Sequence, residues 1–218
     1  MHAKPAKPVG KVAYLTFDDG PSSITENILD VLKAKNVKAT FFVTYHNDAD
    51  AIRRLRRIVR ENHAIGLHSY THRYEEIYSS VESFVNDIDK LNSYIVNSTG
   101  YTPKILRFPG GSNCSLLKQN LFDRLKTELD KRGYVYFDWN VSSADSTKNA
   151  TSLSVGEIVG NCYSGAKDRN VAIILMHDTS VKKRIIVDAL PILIDKLKRD
   201  GFVFSTLSTE APQIAFRK

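Results

Sequence analysis

Seven short apolar or β-branched runs punctuate the chain: Val12–Phe17, Ala39–Val43, Ala64–Leu67, Ile105–Phe108, Val135–Phe137, Val171–Met176 and Phe202–Leu207. Between them lie stretches with apolar positions at helical spacing: Ile24–Ala34, Ala49–Asn62, Val81–Asn97, Leu117–Arg132, Ser154–Ala166 and Lys183–Asp200. Short apolar runs read as buried strands, and longer 3.6-period patterns read as helices with one face on a core. Their alternation predicts βα units and parallel strand pairing. Gly100, Gly133 and Gly201 follow helical stretches, where a left-handed cap is expected.

The polar residues that interrupt this pattern share an address. Asp18 and Asp19 follow the first run, His68 the third, Asp138 the fifth, and His177 and Asp178 the sixth, while Arg107 lies in the end of the fourth. Sites in parallel α/β folds gather at the carboxyl ends of the strands. A closed barrel brings those ends together, whereas an open sheet spreads them along an edge. The expected fold is therefore α/β, a distorted parallel barrel of seven to eight strands. No internal repeat or Gly/Ser linker divides residues 12–210, so one domain is expected over 11–210, with residues 1–10 a linker or tail and 211–218 a C-terminal tail.

Asp18 and Asp19 end a buried run, and Gly20-Pro21 follows at once. Successive strand side chains point to opposite faces, so both carboxylates serve one site only if the strand breaks there. A turn alone would need one aspartate. His68 and His72 are four apart, and a helical turn would set both rings on one face. Two imidazoles and a carboxylate suit zinc or a similar divalent ion. One aspartate can then bind the metal while the other takes a proton from water. The two carboxylates of a retaining glycosidase flank a sugar bond about 5 Å apart, a poor match to neighbours on one turn. His177 closes its run where a general acid could protonate a leaving amine. Trp139 is either core or a platform for a sugar, and His46 and His63 read as surface or rim.

The 218 residues are 42% hydrophobic, enough for one domain with a full core. No apolar run is long enough to span a bilayer, and Met1–Pro8 lacks the apolar centre of a signal peptide. A net charge of +7 points to polyanionic surroundings such as nucleic acid or an anionic cell wall. Part of it sits in Arg53-Arg54-Leu55-Arg56-Arg57, which reads as a solvated helix face, and no nucleic-acid readout motif accompanies it. Cys114 and Cys162 have no C-x-x-C spacing and read either as two ordinary residues or as one disulfide in an oxidising compartment.

Taken in order, T-F-D-D-G-P (Thr16–Pro21), H-S-Y-T-H (His68–His72), R-F-P-G (Arg107–Gly110), Asp138-Trp139-Asn140 and L-M-H-D (Leu175–Asp178) resemble the five motifs of the NodB-type polysaccharide deacetylases, the fourth carbohydrate esterase family. The likeness spans residues 11–208. Thr71–Ser80 and Arg107–Asn113 look most similar to peptidoglycan N-acetylglucosamine deacetylases of Gram-positive bacteria. The resemblance implies one divalent metal, usually Zn2+ with Co2+ also used, held by Asp19, His68 and His72. It implies Asp18 as general base, oriented by Arg107, and His177 as general acid, held and tuned by Asp138. Leu175 and Trp139 would line an acetyl pocket. An amide near Tyr70–Tyr74 or Arg107–Gly110 would add an oxyanion donor, with Tyr70 and Pro109 among the substrate-contacting residues. The expected reaction is removal of N-acetyl groups from an amino-sugar polymer, releasing acetate. Chitin oligomers and poly-N-acetylglucosamine are rival substrates. An O-acetyl xylan esterase and a non-catalytic wall-glycan-binding module are rival functions. The resemblance also implies a monomer at the anionic cell wall or outside the cell, its signal or anchor segment lying outside this chain, with no nucleic-acid partner.

Overall fold

The computed structural model describes residues 10–146, 153–179 and 185–218. Residues 1–9 of the tail expected over 1–10, and the first residues of the helix expected from Lys183, lie outside them. Among the described residues eight strands and seven helices follow in the order β1 (Lys11–Asp18), α1 (Thr25–Ala34), β2 (Thr40–Thr44), α2 (Ala49–Arg60), β3 (Ala64–Ser69), α3 (Tyr74–Ile77), α4 (Val81–Thr99), β4 (Ile105–Leu106), α5 (Gln119–Lys131), β5 (Val135–Tyr136), β6 (Val141–Ser142), α6 (Val155–Ala166), β7 (Val171–His177), α7 (Ile185–Arg199) and β8 (Phe202–Phe204). All seven predicted strands and all six predicted helices form. β6 and α3 are additions, two and four residues long, too short to show a period.

Every strand pairing is parallel, in the order β5-β4-β3-β2-β1-β7-β6. β7 lies along one edge of β1 from Val12 to Asp18. The other edge is shared: β8 pairs with Lys11–Ala13 and β2 with Thr16–Asp18. The sheet curls so that its two outermost strands, β5 and β6, are joined directly by residues 137–140. The ring is thus completed by chain rather than by a ladder of backbone bonds.

Period-two alternation sorts the strand residues. Ala13, Leu15 and Phe17 of β1 pack outward among the helices, with Phe41, Ile65, Leu106 and Ile174. Val12 and Tyr14 turn inward to a smaller cluster with Phe42, Ile105, Phe137 and Ile173. Continuing the inward set along each strand reaches Asp18, His68, Arg107, Leu175 and His177. Gly66 belongs to it as well, because a Cβ there would sit 2.4 Å from the Phe42 ring.

The helices end as their sequences dictate. Asp48 caps α2, Ser80 caps α4, and Ser154 with Glu157 forms a reciprocal capping box on α6. Gly100 closes α4 in the left-handed region, φ 74°. The arginines of α2 are tied down: Arg53 pairs with Glu26 and Asp50, and Arg57 with Asp30 and Glu61. That agrees with a helix face. Two expectations change. His63 is buried rather than at a rim; its Nδ1 accepts the Ala39 N–H (3.1 Å), and burial lowers its pKa to about 4. Residues 211–218 are docked rather than loose, as described below. Cys114 and Cys162 are both free thiols, and burial pushes the Cys162 thiol up to about 12.

Candidate active site

Asp18 ends β1 on the inner face, and Asp19 follows in the left-handed conformation, φ 74°. Aspartate tolerates that region better than most residues, and the turn brings the second carboxylate back toward the first. The Asp19 main chain is pinned by Asp19 N–H to Phe42 O (3.1 Å) and by the Thr44 hydroxyl to Asp19 O (2.9 Å). A Cβ at Gly20 would fall 2.2 Å from Oδ2 of buried Asp178, so only glycine lets the turn close.

His68 sits at a bulge. β2 and β3 run in step to Val43 and Leu67, then Thr44 faces Ser69, which leaves His68 as the extra residue. Bulges of this kind re-aim a side chain beside a site. His68 Nδ1 donates to Arg107 O (2.9 Å), which directs Nε2 toward Asp19 Oδ1 at 3.4 Å. His72 lies in a turn with φ 54°, not in the helical turn its spacing suggested, and its Nε2 is 3.3 Å from the same oxygen. One ligand atom from each of Asp19, His68 and His72 can be chosen so that all lie within 4.8 Å of one another.

This set fits a divalent cation. The His72 Nε2 is buried with no protein partner, and the other groups around Asp19 are nitrogen donors with one carboxylate. Burial opposes the charge on Asp19, but the His68 hydrogen bond and the charges of His68, His177 and His72 outweigh it and hold the carboxyl well below the usual range. Burial also opposes a charged His68, yet Asp18 and Asp19 together raise its pKa. His72 is shifted down by burial and by neighbouring His68. A cation would take the place of the His68 proton, satisfying the same carboxylates.

Arg107 is fully buried inside the ring. Its guanidinium donates to Asp18 Oδ1 (2.8 Å), Thr16 Oγ1 (2.8 Å), Phe137 O (3.0 Å) and Asp138 O (3.0 Å), and it lies 4.3 Å from the centre of the Phe42 ring. Asp18 is thereby fixed, with its second oxygen 4.0 Å from His68 Nε2.

The expected partner of His177 is corrected. Asp138 is buried elsewhere, accepting from Ser112 N–H (2.8 Å), Ser112 Oγ–H (2.5 Å) and Phe216 N–H (2.7 Å). The carboxylate on His177 is Asp145: it meets Nδ1 at 2.7 Å and accepts the His177 main-chain N–H at 2.8 Å. Burial opposes a charged His177, but the Asp145 bond and charge, with those of Asp18 and Asp19, raise its pKa. Asp145 obeys the strand-end rule, since it follows β6. Reading missed it because Val141-Ser142 is too short to register as a strand.

A pocket of about 320 Å³ joins these groups, lined by Asp18, Asp19, His68, His72, Tyr74, Gly110, Trp139, Ser146, Leu175 and His177. Trp139 packs edge-on against Phe216, ring centres 4.9 Å apart. Tyr74 stands edge-on to His72, and burial followed by the Asp19 charge pushes its phenol up to about 12. Tyr70 and Pro109 are outside this lining. The Tyr70 ring stacks on Tyr45 at 4.2 Å beside a separate groove, and Pro109 O accepts the Tyr78 hydroxyl (2.7 Å).

Fold and site together define a parallel α/β barrel with an Asp-His-His set that fits a divalent cation, beside an arginine-braced carboxylate and a carboxylate-paired imidazole. The family profile described as polysaccharide deacetylase matches residues 6–126, and the chain belongs to that family. It is 32% identical over 203 residues to a peptidoglycan-N-acetylglucosamine deacetylase of Bacillus cereus, covering 92% of this chain and 71% of that protein. The catalytic domain of a peptidoglycan N-acetylglucosamine deacetylase from Eubacterium rectale superposes with a TM-score of 0.91 at 36% identity, covering 99% of this chain and 97% of that one. A family 4 acetyl xylan esterase from Clostridium thermocellum, solved in complex with a cobalt ion, gives a TM-score of 0.75 at 30% identity over 90% of this chain and 88% of that one.

Proposed function

We propose that this chain removes N-acetyl groups from N-acetylglucosamine in peptidoglycan, with residues 11–210 as the catalytic domain and the docked 211–218 segment bracing it. The observation that carries this reading is the pairing of one braced carboxylate with one braced imidazole around the same metal-binding pocket. Asp19, His68 and His72 would hold a divalent cation, Zn2+ by preference, which would supply Lewis acidity toward the acetamido carbonyl and make water more acidic. Asp18, steadied by Arg107, accepts a proton from the attacking water. The oxygen–carbon bond forms as that proton leaves. His177 has Nδ1 occupied by Asp145, so its Nε2 gives a proton to the departing nitrogen as the carbon–nitrogen bond breaks. Acetate and a free amino sugar result. Leu175 and Trp139 enclose the methyl end of the acetyl group, and the protonated Tyr74 phenol offers a hydrogen bond at the pocket wall.

The substrate follows from the Bacillus cereus and Eubacterium rectale relatives. A location at the wall or outside the cell follows from the same relatives and from a net charge of +7, suited to anionic wall polymers. Among the described residues no helix is long and apolar enough to cross a membrane. A second reading, O-acetyl esterase on xylan, draws on the Clostridium thermocellum relative. The test is acetate release from N-acetylglucosamine oligomers, purified peptidoglycan and O-acetylated xylan, with metal-stripped enzyme and after Zn2+ or Co2+ is restored. Metal-dependent release fastest from peptidoglycan supports the proposal. Release from xylan alone selects the esterase, and no release from any substrate by Zn2+-loaded protein rejects both.

A further inference from the structure

We infer that Asp87, on α4 and outside the catalytic pocket, is a positioning residue that holds the 69–73 turn so that His72 reaches the cation site; this rests on the metal-binding reading above. Asp87 is buried, and both its oxygens are fully used. Oδ2 accepts from the Ser69 hydroxyl (2.7 Å) and the Tyr70 N–H (2.7 Å). Oδ1 accepts from the Thr71 N–H (2.9 Å) and the Thr71 hydroxyl (2.9 Å). Four donors fill the acceptor capacity of one carboxylate. The Ser69 hydroxyl in turn accepts the His72 N–H (2.9 Å), so a continuous chain of hydrogen bonds runs from Asp87 through Ser69 to the main chain of the ligand.

Two features make this chain specific to ligand placement. His72 has φ 54°, a left-handed conformation uncommon outside glycine, and the hydrogen bonds to Asp87 and Ser69 hold the turn there. The His72 imidazole Nε2 has no protein hydrogen-bond partner, so the ring's position 3.3 Å from Asp19 rests on its contacts with His68 and Tyr74 and on how its backbone is presented. Asp87 is itself immobilised, because Phe84, Ile88 and Leu91 of α4 are buried in the outer core. An asparagine would be close in size but would oppose an NH2 group to one backbone N–H, the hydroxyl on that side being able to accept instead of donate. The turn would then rotate or lose that hydrogen bond, and either change moves His72.

The experiment titrates the metal-stripped full chain with Zn2+ by calorimetry, for wild type and for Asp87→Asn, Ser69→Ala and His72→Ala. Asp87→Asn should weaken the Zn2+ Kd by about 10- to 100-fold, the usual cost of removing a group that orients a metal ligand. Its Co2+-loaded absorption spectrum should differ from wild type. Ser69→Ala keeps the carboxylate but removes the acceptor for the His72 N–H, so it tests the same chain if Asp87→Asn does not fold. His72→Ala sets the scale for losing the ligand outright. A purely structural role would lower the Tm of the metal-free variants while leaving the Zn2+ Kd and the Zn2+-induced rise in Tm at wild-type values, and that result overturns the inference. Acetate release by the wild type is read separately. Its absence, with weakened Zn2+ binding in the variants, supports the role of Asp87 and rejects the proposed activity.

Discussion

In the proposed reaction the imidazole of His177 passes a proton to a departing nitrogen only while it carries one, so its surroundings would set the upper pH limit of turnover. Although burial works against the charged ring, Asp145 raises its pKa, and the acid form persists above the ordinary histidine range. Activity is then lost as pH rises through that raised value. Replacing Asp145 with Asn removes the negative partner, lowers the His177 pKa and moves the alkaline limb of the kcat/KM profile to lower pH. A bound cation acts on both proteins alike, so the comparison isolates Asp145; a limb that stays in place would refute the assignment. For Asp18→Asn we expect kcat to fall by about 10²- to 10⁴-fold, the range for loss of a general base, with Zn2+ uptake by calorimetry unchanged. At this scale the reading of the sequence was uneven, for a physical reason. Asp18, Asp19, His68 and His177 stand at the ends of apolar runs long enough to see. Asp145 stands at the end of a two-residue strand, and its work was assigned to Asp138, whose oxygens are taken by Ser112 and Phe216.

Strand alternation does more for this site than any single motif, because it turns β1, β3, β4 and β7 inward at Asp18, His68, Arg107 and His177. Arg107 shows the cost of placing such chemistry inside a ring. Its charge is fully buried, balanced by Asp18 and three further acceptors. In Arg107→Met the apolar volume is largely kept, but Asp18 loses its cation and Phe137 O and Asp138 O lose their donors. Breaking one side of a buried pair typically costs about 3–5 kcal/mol, so the metal-free variant should unfold at a clearly lower urea concentration. A midpoint equal to wild type would mean that solvent reaches the ring interior. The strands that form this arrangement were legible because their apolar runs stand out between helical patterns. What the pattern could not convey is the bulge at His68 and the left-handed turns at Asp19 and His72, since these depend on hydrogen bonds from Phe42, Thr44 and Asp87 far away in sequence. Spacing alone therefore suggested a helical turn where the chain makes a strand end and a tight loop.

At the scale of the molecule, the weak point of the ring is the span from β5 to β6, where residues 137–140 cross without sheet pairing to each other's strands. This span carries Trp139 into the pocket wall and offers its carbonyls to Arg107. The last residues of the chain brace it from outside. Ile214 O accepts the Asp138 N–H (2.9 Å), the Phe216 N–H bonds Asp138 Oδ2, the Arg217 N–H bonds Ser112 Oγ (3.1 Å), and Arg217 O accepts the Tyr136 hydroxyl (2.6 Å). The Phe216 ring adds an edge contact to Trp139. The 211–218 segment is too short to show a period, and most of its bonds to the rest of the fold are made by its backbone atoms, so the sequence gives no sign of this. Removing residues 212–218 should therefore destabilise the fold by about 2–4 kcal/mol, from several net hydrogen bonds at roughly 1 kcal/mol each. The effect should also be local. Amide exchange should rise in residues 136–140 more than in β1 or β7, and KM for glycan oligomers should rise more than kcat falls, because the wall at Trp139 is loosened while Asp18, His68 and His72 keep their own supports. A truncated chain with wild-type stability and unchanged exchange at 136–140 would show that the span holds itself.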